Sequence, residues 1–318
     1  MQAPAILLMG PTGAGKTDIA VELVARLPLE IVSVDSAMVF RGMDIGTAKP
    51  DSRVRARAPH HLVDILDPAD RYSAGRFVAD ASAAMADIRR RGRVPLLVGG
   101  TMLYFRALQS GLAAMPVADP EVRRRIDARA ALEGWPGLYA ELSRRDPESA
   151  ARIQPRDRQR IQRAFEVMEL TGRRPSEWRQ QDLRAGSRAG DLKLILAPAD
   201  RLALAARVEQ RFLRMMELGL LEEVRTLYER GDLNPELPSI RAVGYRQLWE
   251  HLAGRCGLGE ALGRAVVATR QLVRRQLTWL RAEPDAGWVE ALDSAAGAHI
   301  QHLIEQWLGA PGGGRKAL

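Results

Sequence analysis

The 318-residue sequence predicts an α/β fold: a doubly wound parallel sheet of the P-loop NTPase type with an all-helical insertion domain. Three observations predict it. A strand, a glycine-rich turn and a helix open the chain; strands and helices alternate through residue 112; and strand-like runs are missing from residues 114–184. We therefore divide the chain into four segments: a first part of the core (1–113), the helical insertion (114–184), a return to the core with C-terminal helices (185–308), and a disordered tail (309–318).

The glycine-rich turn fits the pattern G-x-x-x-x-G-K-[ST] of a phosphate-binding loop. Its residues are Gly10, Pro11, Thr12, Gly13, Ala14, Gly15, Lys16 and Thr17. Apolar residues precede it and a helical pattern follows, so backbone N–H groups and a helix N-terminus are expected to face one anion. Lys16 adds a positive charge, and the Thr17 hydroxyl is placed to hold Mg²⁺. The loop predicts a bound phosphate compound without specifying which one.

Two later strands, predicted at residues 30–36 and 94–101, end in polar side chains. Ligands of doubly wound sheets bind at the carboxyl ends of strands, so Asp35 and Thr101 are expected to converge with Thr12. This expectation assumes that the second strand lies beside the first. Asp35 fits two roles equally well, as a base or Mg²⁺-holding carboxylate and as a residue that caps a turn. The third strand ends in Gly-Gly-Thr instead of the Asp that commonly holds Mg²⁺ in NTPases, which argues against ATP hydrolysis.

The rest of the chain reads as helices with a single returning strand. In the insertion, helices are predicted at 121–132, 137–145 and 156–170, and the strand follows at 192–197. Further helices are predicted at 201–218 and 260–282, and a glycine turn is expected at Gly244. The one cysteine, Cys256, excludes an intrachain disulfide framework and favours the cytosol. The sequence contains no signal peptide pattern and no apolar run near the ~18–20 residues of a membrane span, so we expect a cytoplasmic protein without membrane contact.

The net charge of +8 predicts an anionic partner, and arginines follow three of the predicted helices at helical spacing. For any one helix, a solvated surface is the favoured interpretation. Three such faces, together with Arg241 and Arg246, fit a nucleic-acid footprint better. The three sets are Arg156, Arg160 and Arg163; Arg207, Arg211 and Arg214; and Arg270, Arg274 and Arg281.

Eight motifs, in one order from Ile6 to about Trp288, resemble those of the tRNA dimethylallyltransferases (tRNA isopentenyltransferases). The motifs occupy residues 10–17, 31–37, 40–50, 59–64, 99–104, 158–163, 239–246 and 274–281. Two departures stand out, because many members have Gln at the position of Met38 and Tyr at that of Phe40. The zinc finger at the C-terminus of eukaryotic members is missing, so the resemblance implies a bacterial-type enzyme.

The resemblance implies transfer of a dimethylallyl group from dimethylallyl diphosphate to the exocyclic N6 amine of the adenine 3′-adjacent to the tRNA anticodon. Asp35 would be the general base, with Thr101, Lys16 and Arg211 completing the catalytic set. Residues 12–17 would grip the diphosphate with Mg²⁺ at Thr17. Arg207 has the same helical spacing as Arg211 and remains an alternative diphosphate clamp. The protein is expected to act as a monomer.

The anticodon stem-loop of tRNA is the macromolecular partner that the resemblance implies. The residues it assigns to tRNA contact are Asp35, Ser36, Ala37, Met38, Thr101, Arg123, Gln159, Arg160, Ile161, Gln162, Arg163, Arg241, Ala242, Val243, Gly244, Tyr245, Arg246, Arg274, Arg275, Gln276, Leu277, Thr278, Trp279, Leu280 and Arg281. Two alternatives stay open: a P-loop small-molecule kinase that uses ATP, and a tRNA-binding protein without catalysis.

Overall fold

The structure, a computed structural model, describes residues 4–111, 115–116, 118–182 and 190–310. The chain forms two compact units, one from residues 1–106 and 188–318 and the other from residues 107–187. The predicted boundaries of the insertion, at 113/114 and 184/185, fall outside the described residues. So do residues 311–318 of the predicted tail, whereas Gly309 is the last residue of a helix.

The first unit is built on a six-stranded sheet in which every paired neighbour is parallel. Its strands are β1 (Ile6–Met9), β2 (Leu29–Val34), β3 (His60–His61), β4 (Val94–Gly99), β5 (Leu192–Ala197) and β6 (Gly287–Glu290). The spatial order is β3-β2-β4-β1-β5-β6, which confirms the predicted parallel α/β fold. The assumption that β2 lies beside β1 is wrong, because β4 lies between them and pairs with both.

Helices connect the strands and make up the second unit. They are α1 (Lys16–Arg26), α2 (Ser52–Arg57), α3 (Ala74–Arg90), α4 (Met102–Ser110), α5 (Pro120–Arg145), α6 (Pro147–Ala150), α7 (Arg158–Thr171), α8 (Pro175–Asp182), α9 (Arg201–Glu217), α10 (Leu220–Glu229), α11 (Tyr245–Leu252), α12 (Leu258–Arg281) and α13 (Ala296–Gly309). Within the described part of the chain, no helix is both long and apolar enough to cross a membrane.

The central strands are buried on both faces, which explains their near-continuous apolar sequence. Leu23 and Val24 of α1 pack against one face of the sheet, where Ile300 and Ile304 of α13 join the same core cluster. Burial of this apolar surface fixes the carboxyl ends of β1, β2 and β4 as one rigid edge. This edge carries the polar residues that the sequence predicts to converge.

The second unit contains helices only among its described residues, packed around Ile126, Leu142 and Phe165. Its longest helix, α5, is broken at Gly134, where φ is 72° and ψ is 154°, and Pro136 follows. The break lies at the predicted separation between the helices at 121–132 and 137–145. The next long helix, α7, ends at Gly172 in the left-handed conformation that favours glycine.

Candidate active site

The phosphate loop connects β1 to α1 and leaves the start of the helix open to a ligand. Gly15 precedes the helix with φ at 86°, a conformation that costs glycine little and other residues much more. No side chain caps this helix N-terminus, so its first N–H groups point into the cavity with the positive end of the helix dipole. The local sequence therefore builds an anion-binding site before any ligand is present.

Lys16 lies in the same cavity, and its ammonium group donates hydrogen bonds to the carbonyl oxygens of Gly10 (2.9 Å) and Pro11 (2.7 Å). The pKa of Lys16 is lowered from its ordinary value to about 7, mainly by burial and also by the nearby Arg211, while Asp35 acts in the opposite direction. An anion bound at this loop would favour the charged form of the lysine.

Two cavities open at the carboxyl edge of the sheet, with volumes of about 570 and 440 Å³. The larger is lined by the phosphate loop, α1, β2 and residues 47–50. The smaller is lined by residues 35–37 and 100–103, by α9 and α12, and by residues 241–243. The residues that line both are Thr12, Asp35, Thr47, Gly100, Arg211 and Gln276. A group held in one cavity can therefore meet a group held in the other beside Asp35 and Arg211.

Asp35 follows β2 directly and caps the next turn, which is one of the two roles that the sequence allowed. Its Oδ1 accepts hydrogen bonds from the backbone N–H groups of Ala37 (2.8 Å) and Met38 (3.2 Å), which caps the following turn. Both hydrogen bonds that the described residues make to this carboxylate use Oδ1. The second oxygen, Oδ2, is left for a ligand in the cavities that Asp35 lines.

Thr101 follows β4, and its hydroxyl oxygen accepts a hydrogen bond from the backbone N–H of Ser36 over 3.1 Å. Met38 lines the larger cavity, and its sulfur lies 3.9 Å from the Ser33 hydroxyl. Phe40 is fully buried. The side chain at Met38 therefore offers the site an apolar thioether in place of an amide.

Two arginines of α9 lie beside the phosphate loop, while Val208 and Phe212 of the same helix are buried. Arg211 lines both cavities, and burial lowers the pKa of its guanidinium from its ordinary value, against the opposing effect of Asp35. Arg207 lies next to the loop, because a Cβ built on Gly15 would be 3.7 Å from one of the Arg207 guanidinium nitrogens. Arg211 is thus the arginine placed in the cavities, and Arg207 borders the loop.

Residues 47–50 line the larger cavity and Gly46 lines the smaller one, and no role was assigned to residues 43–50 from the sequence. The Glu223 carboxylate accepts hydrogen bonds from the backbone N–H groups of Asp44 (2.9 Å), Ile45 (2.7 Å) and Gly46 (3.2 Å), and from the Tyr245 hydroxyl. Lys49, whose side chain is 1% exposed, pairs with Asp44 and Asp64. Residues 40–50 and 239–246 are separate motifs in the sequence, and Glu223 links them in the structure.

The residues predicted to contact tRNA have different surroundings in the first unit. Arg241, Arg275 and Trp279 line the smaller cavity, and the Arg106 guanidinium lies 5.6 Å from the Trp279 ring centroid. Arg274, Thr278 and Arg281 are exposed. The buried members are Gly244, Tyr245, Gln276, Leu277 and Leu280. Tyr245 and Gln276 nevertheless line the smaller cavity. The contact of these residues with tRNA stays a prediction.

In the second unit, two predicted tRNA contacts share one buried carboxylate. Glu166 is fully buried and binds Arg123 (2.9 Å) and Arg163 (2.6 Å). Burial would raise the pKa of Glu166, but hydrogen bonds from these two arginines outweigh it and hold the pKa below its usual value. The Ile161 side chain belongs to the core of this unit, and its contact with tRNA stays a prediction. The exposed predicted contacts in this unit are Gln159 and Arg160, and Gln162 bonds to Asp127.

Among the described residues, no group of three or more His, Cys, Asp or Glu side chains could hold a metal ion. His61 instead contacts the buried Glu30, and the Nδ1 of His60 lies 2.6 Å from the Ala58 carbonyl oxygen. A cation at this site would therefore rely on ligand oxygens and water in addition to Thr17, which is the usual way that proteins bind Mg²⁺ beside phosphates.

The parallel sheet and the phosphate loop define the class of the protein, a P-loop α/β protein whose anion cradle lies at the carboxyl ends of its strands. A family model described as IPP transferase matches residues 38–283. A tRNA dimethylallyltransferase from Thioalkalivibrio sulfidiphilus is 59% identical over 303 residues, 93% of each chain. One from Methylococcus capsulatus is 56% identical over 292 residues, 90% of this chain and 92% of the relative. The chain therefore belongs to the IPP transferase family.

Solved structures agree with this assignment. The tRNA isopentenylpyrophosphate transferase from Bacillus halodurans is 34% identical, with a TM-score of 0.71 over 96% of both chains. A eukaryotic dimethylallyltransferase, described in crystallographic snapshots as acting on tRNA, is 26% identical with a TM-score of 0.78. That likeness covers 95% of this chain and 78% of the other. The protein is an enzyme, and its family is that of prenyltransferases.

Proposed function

We propose that the protein transfers a dimethylallyl group from dimethylallyl diphosphate to the exocyclic N6 amine of the adenine 3′-adjacent to the tRNA anticodon. One observation carries the proposal: Asp35 lines both cavities, beside the phosphate loop in one and beside Arg241 and Trp279 in the other. The base is thus placed between a donor site and an acceptor site. The family relationship supports prenyl transfer over the kinase alternative, since its curated relatives are tRNA dimethylallyltransferases.

The donor occupies the larger cavity with its diphosphate on the phosphate loop. Backbone N–H groups of residues 13–17, the Lys16 ammonium and the Arg211 guanidinium balance the charge that develops as the diphosphate leaves. The allylic carbon C1 can carry partial positive charge, so stabilisation of the leaving group contributes strongly to the rate. Apolar residues of the same cavity, among them Val21, Ile31 and Val98, suit the dimethylallyl group.

Mg²⁺ fits this site as a proposed cofactor. The Thr17 hydroxyl would hold it, with the carboxylates of Asp18 and Glu22 lining the same cavity. When bound, the ion neutralises charge on the diphosphate.

The acceptor adenine enters the smaller cavity after leaving the anticodon stack. An exocyclic adenine amine is a weak nucleophile, so its proton must leave as the N6–C1 bond forms and the C1–O bond to the diphosphate breaks. Oδ2 of Asp35 accepts that proton. Thr101 holds the turn after Asp35 through Ser36 and thereby keeps the carboxylate in position.

tRNA affinity comes from phosphate contacts made by exposed arginines of each unit. Arg274 and Arg281 in the first unit and Arg160 in the second are candidates. A single-stranded loop also suits reading of base edges and stacking on an aromatic ring, for which Trp279 is placed at the cavity wall. A protein that bound tRNA without catalysis would have no use for Lys16 and Arg211 around a phosphate loop.

The decisive experiment is mass spectrometry of an adenine-containing anticodon stem-loop after incubation with the protein, Mg²⁺ and dimethylallyl diphosphate. We expect a mass increase of one dimethylallyl group on the adenine 3′ of the anticodon, and none with an otherwise identical stem-loop in which guanine replaces that adenine. A parallel incubation with ATP tests the kinase alternative. Consumption of ATP without prenyl transfer would overturn the proposal.

A further inference from the structure

Gln276 is a buried polar side chain on α12 that the proposed reaction does not use. The residue is 8% exposed, and both ends of its amide group are hydrogen-bonded to backbone. Its Oε1 accepts from the Thr12 N–H over 3.0 Å, and its Nε2 donates to the Gly100 carbonyl oxygen over 2.8 Å. One side chain therefore joins α12, the phosphate loop and the end of β4.

These two bonds reach the parts of the site that must be aligned for catalysis. Thr12 is in the phosphate loop that holds the donor. Gly100 immediately precedes Thr101, which is hydrogen-bonded to Ser36 next to Asp35. The Gln276 amide thus sets the separation between the diphosphate cradle and the strand ends that carry the base. Prenyl transfer needs donor carbon, amine and base within a narrow geometry, so this separation affects the rate directly.

Gly100 shows how closely the amide is fitted. A Cβ at this position would lie 2.5 Å from Nε2 of Gln276 and 3.1 Å from the Gly10 carbonyl oxygen. A contact of 2.5 Å is shorter than any ordinary packing distance, so a side chain here would displace the amide. A side chain at Gly100 is therefore incompatible with the observed position of the Gln276 amide.

The same helix faces the acceptor cavity. Arg275 and Trp279, one position before and three positions after Gln276, line the smaller cavity. Because α12 is a single 24-residue helix, a change in its position moves these side chains and the Gln276 amide together. The helix proposed to contact the anticodon arm is thus hydrogen-bonded, through Gln276, to the phosphate loop that holds the donor.

We propose that Gln276 is a positioning residue for prenyl transfer: it aligns the phosphate loop with the Asp35–Thr101 edge and links that alignment to the helix that meets tRNA. This inference rests on the proposed function. Gln276 acts through backbone groups of Thr12 and Gly100. The role differs from the direct tRNA contact expected from its place in residues 274–281.

Gln276→Met tests the role, because methionine keeps the length and helix propensity of glutamine but makes neither hydrogen bond. Single-turnover prenyl transfer to the stem-loop is measured beside stem-loop affinity. We expect the transfer rate to fall ~10–100-fold, the effect of a small misalignment at a reacting centre. The stem-loop Kd is expected to change by less than about 3-fold, since phosphate contacts by exposed arginines supply most of the RNA affinity and both hydrogen bonds of the amide go to the protein backbone. Gln271→Met, an exposed position of the same helix, should leave both values unchanged.

A double-variant cycle with Thr101→Val separates positioning from general stability. If Gln276 acts through Gly100 and Thr101, the combined variant should lose less rate than the product of the two single losses. Should Gln276→Met fail to fold, Gln276→Glu replaces it, since its carboxylate still accepts from Thr12 but places an oxygen against the Gly100 carbonyl. The same loss of rate is expected.

Failure of the positioning role can be distinguished from failure of the proposed function. A wild-type protein that does not prenylate the stem-loop refutes the proposed function itself. An active wild type with an equally fast Gln276→Met variant overturns the positioning role. A variant whose stem-loop Kd rises in parallel with the loss of rate also overturns it, in favour of direct RNA contact. Multiplicative losses in the cycle refute action through Thr101.

Discussion

The hydroxyl oxygen of Thr101 accepts a hydrogen bond from the backbone N–H of Ser36, 3.1 Å away. This bond connects the chain just after β4 and β2, two residues beyond the Val34–Gly99 pair at which the paired strands stop. It fixes the turn that Asp35 caps through Ala37 and Met38. The carboxylate is therefore held by the sheet edge from two directions, and its free oxygen has a defined direction for proton transfer.

The first prediction concerns Asp35. In Asp35→Asn, the amide oxygen can still cap the turn but the basic carboxylate is lost, so folding is retained while the prenyl-transfer rate falls ~10²–10⁴-fold, as for loss of a general base. The measurements are single-turnover transfer and stem-loop affinity, which we expect to be nearly unchanged. Asp51→Asn is the matched control, because the Asp51 side chain also accepts a hydrogen bond from a backbone N–H, that of Val54 at the start of α2. Loss of tRNA binding with Asp35→Asn would show that Asp35 is mainly a binding residue.

The second prediction follows from the pKa of Lys16, which burial lowers from 10.5 to about 7. Above pH 7 the unliganded lysine is mostly neutral, and a bound diphosphate raises its pKa again because it favours the ammonium form. Binding at pH 8 should therefore take up a proton, and donor affinity should fall as pH rises above 7, by up to ~10-fold per unit.

Calorimetry of dimethylallyl diphosphate binding at pH 8, in buffers of different ionisation enthalpy, measures that uptake. Lys16→Arg is the control, since a guanidinium remains charged throughout this range and should bind without uptake at this position. Equal proton uptake by the wild type and Lys16→Arg would contradict the assignment of the shifted group.

The parts of this site that could be predicted from the sequence are those that residues adjacent in the chain determine. The phosphate loop and the strand that ends at Asp35 each combine apolar runs with glycine or polar termini, and local sterics determine both. The assumption that β2 lies beside β1 was wrong because the pairing of β4 between them is decided by packing across the whole sheet. Strand β6 was missed because only Val289 of its four residues is buried, which leaves no strand pattern.

Long-range hydrogen bonds could not be predicted from the sequence either. Gln276 and Thr12 are 264 positions apart, and Glu223 reaches backbone groups about 178 positions away. Neither residue type nor spacing indicates such partners. Gln276 lay in a recognised motif, which did not indicate what the side chain contacts, and Glu223 lay in none of the motifs. Glu166, a buried carboxylate that pairs with two arginines, could not be predicted for the same reason.

The third prediction concerns Glu166 in the second unit. Glu166→Gln removes the charge that Arg123 and Arg163 share, and both arginines are about one-third exposed, so water can partly replace the lost partner. We expect the free energy of unfolding to fall by ~2 kcal/mol at pH 7, the usual size for hydrogen bonds to a charged group. Urea denaturation measures it.

The pH dependence of that difference has a defined sign. The folded pKa of Glu166 lies below its unfolded value, so the stabilisation is present above the unfolded pKa and disappears as pH falls through the folded pKa. The wild type and Glu166→Gln should therefore become equally stable at low pH. Glu169→Gln, at a more exposed pair with Arg125, is the control, with an expected change of ~0–1 kcal/mol. An equal loss in both variants would contradict a special role for the buried carboxylate.

The last prediction concerns Glu223, which holds the cavity wall at residues 44–46. In Glu223→Gln one carboxylate oxygen becomes an NH₂ group that faces backbone N–H donors or the Tyr245 hydroxyl, so at least one of its hydrogen bonds is lost. The wall loosens, and Thr47 to Pro50, which line the donor cavity, lose their fixed position. We expect the KM for dimethylallyl diphosphate to rise ~3–10-fold, in line with a loss of about 1 kcal/mol from one hydrogen bond. Glu222→Gln, at the exposed neighbouring position, should leave that KM unchanged. A larger effect on stem-loop affinity than on the donor KM would show that Glu223 supports the acceptor cavity through Tyr245 instead.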